Sequence, residues 1–326
     1  MYCDIIFFNK DKKKGIFMRI ITITLNPAFD IHCFTEQFEP YHENLAKITV
    51  RAAGGKGVNI SRALTANDIE NTALVVLGEE NADDFLCCLS KYGMNVEEIF
   101  VKGRIRENIT LHTNGAPETR ISFSGFEADD TLVQKVKKVL EDKIEQDTIV
   151  TFTGRIPEGV TLEAVKKMLI DLRNKGVRIV IDSKSFGIKD LIECRPWLIK
   201  PNEEEIAQYI DQNVDSLKAA AEAAEKLRAS GIDNVMISLG AKGAVLACED
   251  GRFIVEAPSV DAISTIGAGD SAIGGFVAAM QNGLSYPDML RTAVCYGSAA
   301  CMKEGTEPPS KKDIKALLKH ILVKRV

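Results

Sequence analysis

No stretch of about 20 apolar residues is available to cross a bilayer, and the eight cysteines, at positions 3, 33, 87, 88, 194, 248, 295 and 301, include no CxxC pair. With only four histidines to complete a ligand set, the spacing offers no zinc-site pattern. A positive charge excess is missing too: 41 basic and 46 acidic residues leave a net charge of −5, so no global basic field exists to hold nucleic acid or an anionic membrane. Any anionic ligand must be met by a local site. The early apolar run Ile5-Ile6-Phe7-Phe8 is too short for a secretory leader, and its lysines follow it instead of preceding it. The cysteines therefore read as reduced thiols of a cytoplasmic protein. What remains is ordinary globular material. The 326 residues are 45% hydrophobic and 27% charged, enough for a sizeable core and for two domains or one large domain with an insert. Because Met18-Arg19-Ile20-Ile21 opens a strand directly, residues 1–17 are expected to be an extension outside the fold, which would occupy 18–326.

Strand and helix patterns alternate along the chain, which predicts βαβ units and a mostly parallel sheet. Strands are expected at 19–25, 72–78, 148–152, 177–182, 197–202 and 234–240, with a hairpin at 244–256. Helices are expected at 58–67, 83–93, 130–145, 161–175, 215–229, about 270–281 and 287–303, and from 310. One region breaks the alternation. RENITLHT and ETRISFS alternate polar and apolar residues with period two and are joined by NGAP, which predicts an antiparallel hairpin within about 104–124. A second extended patch at about 30–50 has the same character. Together they predict a small β-sheet inserted into the α/β body and covering a cleft.

The most informative stretch is STIGAGDSAIGGF (264–276), where small residues compress a turn that gives way to a helix near Asp270. Such a turn aims backbone N–H groups and a positive dipole end at whatever sits above it, which suits a phosphate. Two other readings compete: an Ala/Gly-rich helix start with a capping Asp, and a dinucleotide fingerprint at Gly267, Gly269 and Ala272. The fingerprint should follow the first strand of a βαβ unit and lead to a strand ending in an acid about 20 residues on; here NGLSYPDML follows the helix, and its Asp288 reads as a first-turn residue of the next helix. On the functional reading, Asp270 is a general base set beside the N–H groups of Gly267, Ala268 and Gly269, a pairing that phosphoryl transfer needs. The second Gly-rich stretch, AAGGKGVNISRAL (52–64), lacks the Ser/Thr and the spacing of a P-loop. Its paired glycines allow close backbone approach to a ligand, with Lys56 and Asn59 at hand, or they form a plain turn feeding a helix.

TLNPAFD (24–30), AGGKGVN (53–59), KPNEEE (200–205), SLGAKGA (238–244) and STIGAGDS (264–271), in this order, resemble a ribokinase-like carbohydrate kinase of the phosphofructokinase B family across about residues 18 to 320. The resemblance implies a doubly wound α/β fold, a mostly parallel sheet flanked by helices, with a small β-sheet lid. It makes Asp270 the catalytic base and Gly267-Ala268-Gly269 the anion hole. Asp30, Gly55, Lys56 and Asn59 would bind the sugar, and Lys200, Asn202, Ser238, Gly240 and Gly243 would border the nucleotide. Glu205, with Asn202, would organise Mg²⁺ around the phosphates of ATP. Phosphosugar members grip the substrate's existing phosphate with lid arginines, and Arg106 and Arg120 fall at matching places; guanidinium forks suit that task.

Two departures stand out: Ser124-Gly125 where this branch has Pro-Gly, and Arg155, which adds an arginine near the sugar. The expected reaction is phosphorylation of a ketohexose phosphate at a primary hydroxyl, first fructose 1-phosphate to fructose 1,6-bisphosphate, with tagatose 6-phosphate as the alternative acceptor. The classes outside this reading are an NAD-dependent oxidoreductase and a non-catalytic sugar-phosphate sensor. A homodimer through the lid is the expected assembly, because an exposed sheet edge can pair with a second copy.

Overall fold

In a computed structural model that describes residues 18–326, the chain begins with β1 (Ile20–Thr24), β2 (Ala28–Phe34), β3 (Lys47–Gly54), α1 (Lys56–Thr65) and β4 (Thr72–Gly78). The expectation for residues 1–17 lies outside the described residues. Next come α2 (Ala82–Ser90), β5 (Val96–Val101), β6 (Arg106–Thr113), β7 (Ala116–Ile121), α3 (Asp130–Lys143) and β8 (Ile149–Thr153). The middle of the chain forms α4 (Leu162–Asn174), β9 (Arg178–Asp182), α5 (Ile188–Cys194), β10 (Leu198–Ile199), α6 (Glu203–Ile210) and α7 (Leu217–Ala229). It ends with β11 (Asn234–Ser238), β12 (Ala244–Cys248), β13 (Gly251–Val255), α8 (Ala268–Gln281), α9 (Tyr286–Cys301), α10 (Lys311–Leu318) and β14 (Val323–Arg325).

The main sheet has ten strands in the order β14-β13-β12-β11-β10-β9-β8-β1-β4-β5. From β5 to β11 the pairings are parallel; β11 to β14 are antiparallel. The central strands are buried on both faces, which is why they read as apolar runs broken only by threonine, such as IITIT and IVTFT. On one face, Ile21, Ile23, Val150 and Ile181 pack with α3, α4 and α7. On the other, Ile20, Ile149 and Val180 pack with α1, α8, α9 and α10. The result is a doubly wound three-layer body.

A separate four-stranded sheet runs β3-β2-β6-β7, built from two separated stretches of chain. Phe29, Ile31 and Ala53 bury its inner apolar side against Phe85 of α2 and against β4. Its hairpin turns at Asn114-Gly115, and the Ala116-Pro117 half of NGAP already belongs to β7.

Two predicted elements are corrected. The strand expected over 197–202 is only Leu198–Ile199, because Asn202 caps α6: its side chain accepts from the Glu205 N–H at 2.8 Å while the Glu205 carboxylate takes the Asn202 N–H at 3.1 Å. The helix expected from Asp270 begins at Ala268, capped by Gly267 at φ 77°, a left-handed conformation that favours glycine. A Cβ on Gly275 would lie 2.9 Å from the Thr292 carbonyl and one on Gly297 3.2 Å from that of Ala268, so α9 is held hard against the start of α8.

Candidate active site

The lid and the carboxyl ends of the parallel strands enclose a cleft of about 1350 Å³, the expected place for a ligand in a doubly wound sheet. Every site residue expected from the sequence lines it: Asp30, Gly55, Lys56, Asn59, Arg106, Arg120, Arg155, Lys200, Asn202, Glu205, Ser238, Gly240, Gly243 and the turn Gly267-Ala268-Gly269-Asp270. They come from elements far apart in sequence.

Asp270, in the first turn of α8, is 7% exposed. Its Oδ2 accepts from Asn59 Nδ2 at 2.8 Å, so the carboxylate is tied to α1 and does not cap its own helix. Burial pushes the Asp270 carboxyl up to about 6, against the pull of Lys56, the Asn59 hydrogen bond and Lys200, and with a further push from Asp182. A carboxylate held there is poised to accept a proton near neutral pH. The Ala268 N–H donates back to Thr265 O at 3.3 Å, whereas the Gly267 and Gly269 amides find no backbone acceptor among the described residues. A Cβ on Gly269 would stand 3.1 Å from Lys200 Nζ; the ammonium thus faces the turn.

Behind Asp270 lies an ion cluster that sequence reasoning missed. Asp182, at the carboxyl end of β9, pairs with Lys56 at 3.0 Å and with Lys200 at 3.8 Å. Burial alone would raise the Asp182 carboxyl, but Lys200 and Lys56 outweigh it and hold the group below the usual carboxylate range. Burial likewise works against the Lys56 ammonium, yet Asp182 and Asp270 outweigh it and raise its pKa. The available signal was an acid ending the apolar strand VRIVID, where ligands meet a parallel sheet.

Strand register builds the lid half. Asp30 of β2 lies opposite Asn108 of β6, and Thr110 lies opposite Arg120 of β7, so alternate residues bring these side chains to one face. Asp30 Oδ1 accepts from Asn108 at 3.1 Å and pairs with Arg120 at 3.5 Å. Gly54 lies so close to Asp30 Oδ2 that a Cβ there would collide with the carboxylate. Arg106 is held by the carbonyls of Phe123, Asn26 and Pro27 at 3.0, 3.3 and 3.4 Å. Burial, then the charges of Arg155 and Arg120, lower the pKa of its guanidinium, and Asp30 opposes them. Three arginines thus line the cleft within reach of one another's charges, a set of donors able to meet an anion. Asn26 and Asn108 are further lining residues that the sequence did not single out.

Elsewhere along the cleft, Ser238 bridges to Asn202, and Gly240 opens a short 3₁₀ turn ending at Gly243. A Cβ on Gly243, at φ 121°, would meet the Val255 carbonyl, so only glycine fits this crossing. No cluster of three or more His, Cys, Asp or Glu side chains able to hold a metal occurs among the described residues. One Glu205 oxygen is occupied by the cap, so the donors present fit Mg²⁺ brought in on phosphate oxygens, not an ion caged by protein alone.

The fold and the cleft have the architecture of a small-molecule kinase: a doubly wound body, a small separate sheet over the cleft, a glycine turn at a helix start and an adjacent buried carboxylate. The chain belongs to the pfkB family of carbohydrate kinases, whose model matches residues 23–313. It is 33% identical to the 1-phosphofructokinase of Escherichia coli (strain K12) over 303 residues, 93% of this chain and 97% of that protein. Phosphofructokinase-2 from Escherichia coli, solved in complex with substrates and products, matches with a TM-score of 0.87 and 26% identity, covering 93% of this chain and 99% of its own. The tetrameric inhibited form of that enzyme matches at 0.82 and 25% identity, covering 93% of this chain and 100% of its own.

Proposed function

We propose that this kinase transfers the γ-phosphoryl group of ATP to a primary hydroxyl of a ketohexose phosphate, with fructose 1-phosphate as the acceptor and fructose 1,6-bisphosphate as the product, in the cytoplasm. The observation that carries the reading is that one cleft is lined both by a buried carboxylate beside a glycine turn and by three arginines whose charges meet at Arg106. A sugar bearing both a phosphate and a free hydroxyl matches that combination. Similarity to a 1-phosphofructokinase supports the choice of sugar phosphate.

Asp270 takes the proton of the attacking hydroxyl as the oxygen approaches phosphorus. Asn59 holds the carboxylate, and Asp30 with Asn108 accepts and donates hydrogen bonds to the sugar hydroxyls. Arg106, Arg120 and Arg155 grip the existing phosphate. The amides of Gly267 and Gly269, with Lys200 beside them, stabilise the charge that spreads over the moving phosphoryl group. Asn202, Ser238, Gly240 and Gly243 border the nucleotide, and Glu205 would help to hold Mg²⁺, which neutralises phosphate charge when bound. Closure of the lid excludes water from the transfer.

Exposed apolar side chains on the lid strands and their flanks, among them Phe34, Ile48, Ile121 and Phe123, favour pairing with a second copy as a homodimer; light scattering reads that mass directly. For the activity, an ATP-consumption screen over fructose 1-phosphate, fructose 6-phosphate, tagatose 6-phosphate, free sugars and nucleosides is decisive. The highest kcat/KM is expected for fructose 1-phosphate. A preference for an unphosphorylated sugar or a nucleoside refutes the arginine site.

A further inference from the structure

Arg62 of α1 is 1% exposed although it carries a full charge. None of its three hydrogen-bond partners is a carboxylate: Nη2 donates to Asn59 Oδ1 at 2.5 Å and to Thr306 Oγ1 at 2.8 Å, and Nη1 donates to the Tyr92 hydroxyl at 3.3 Å. Nε finds no partner among the described residues. Burying a charge without a carboxylate in direct contact is costly; acids are reached only through Tyr92, which bonds Glu307, and through Asn59, which bonds Asp270, so stability is a poor reason for an arginine at this position. Its place in the fold supplies a better one, because Asn59 links it directly to Asp270.

We propose that Arg62 is a positioning residue for phosphoryl transfer: it locks the Asn59 amide with its oxygen inward and its NH₂ group on the Asp270 carboxylate, holding the base aimed at the sugar hydroxyl. The inference rests on the kinase reading above. A guanidinium only donates, so it can face only the amide oxygen, and the NH₂ group is left for Asp270 at 2.8 Å. The lock matters most in mid-reaction. Once Asp270 has taken the sugar's proton it can itself donate, and an unrestrained amide would be free to turn its oxygen towards it. Arg62 forbids that turn, because a flipped amide would set NH₂ against guanidinium. The contact to Thr306 anchors the lock to the wall of the anion turn, since a Cβ on Gly267 would stand 3.6 Å from Thr306 Cγ2. Lys56, Asp182 and Lys200 act on Asp270 through their charges, whereas Asn59 holds it by a hydrogen bond, so the aim of the carboxylate depends on the amide.

The test uses full-length Arg62→Met and Arg62→Lys with ATP and the phosphosugar that the unmodified enzyme turns over best. Profiles of kcat from pH 5 to 9 are recorded beside carboxyl ¹³C NMR of Asp-labelled protein, the Asp270 signal being the one lost in Asp270→Asn. In Arg62→Met, kcat is expected to fall roughly 10- to 100-fold, the size of loss that misplacement of a reacting group brings, with the KM for ATP little changed. The acidic limb and the Asp270 titration both move to higher pH, because a hydrogen bond to the charged form is lost. Arg62→Lys restores most of the rate and returns the limb. A limb and an Asp270 titration that stay in place overturn the proposal, whatever happens to thermal stability. Should the Met variant not fold, Arg62→Gln carries the same requirement. If the unmodified enzyme phosphorylates no sugar phosphate, the kinase reading fails by itself, and the Asp270 titration still shows whether Arg62 holds the contact between Asn59 and Asp270.

Discussion

Replacing Lys56 by Met should move the pH dependence of the reaction in a direction that the charges around Asp270 dictate. Burial raises that carboxyl to about 6, and Lys56 is the largest influence opposing the rise. A cation a few ångströms from a carboxylate lowers its pKa by about 1–3 units. At the low end, loss of Lys56 takes Asp270 from about 6 to about 7. Freed from the same ammonium, Asp182 also loses part of what holds it below the usual carboxylate range. A general base must be ionised to act, so activity disappears as pH falls through the pKa. At pH 7 the ionised fraction would drop from roughly nine-tenths to roughly half. The assay is kcat from pH 5 to 9 with both substrates saturating, so that weakened sugar binding does not enter. A midpoint that stays near that of the unmodified enzyme, or moves down, refutes the electrostatic coupling of Lys56 to Asp270.

Arg106→Ala should raise the KM for the phosphosugar roughly 10- to 100-fold, the worth of one charge-assisted phosphate contact, with the KM for ATP unchanged; equal effects on both substrates remove the clamp role. Asp270→Asn should make the fold more stable at pH 8. A carboxyl raised from 3.8 to about 6 by folding costs stability as pH rises through that window, up to about 3 kcal/mol at 1.36 kcal/mol per unit. Urea titrations at pH 4 and pH 8 should therefore show the variant's advantage at pH 8 and little of it at pH 4; a gain independent of pH contradicts the buried, ionised carboxylate.

The turn-to-helix glycine motifs were legible because their chemistry is local: paired glycines ahead of α1 and Gly267 ahead of α8 announce close approach and left-handed backbone within a few residues. The lid was legible from its period of two. Less was readable where capping competes with extension, as at Asn202, whose side chain ends β10 after two residues although WLIKPN reads as a longer strand. Strand β5 is weakly patterned and β14 and α5 are short, and their existence depends on the sheet edge or surface that receives them. Least visible were Asp182 and Arg62. Nothing in VRIVID or NISRAL says that the acid will meet Lys56 and Lys200 across the sheet, or that the arginine will be buried against Asn59, because both contacts exist only after the layers have packed.

The central claim is that Asp270 removes the proton from the sugar hydroxyl while the turn beside it holds the phosphoryl group. Its most direct measurement is kcat of Asp270→Asn with ATP and fructose 1-phosphate at pH 8. Asn keeps the size and a hydrogen-bond acceptor for Asn59 but cannot take the proton, so kcat should fall by roughly 10²- to 10⁴-fold while both KM values change little. An Asn variant that turns over at close to the original rate contradicts the account.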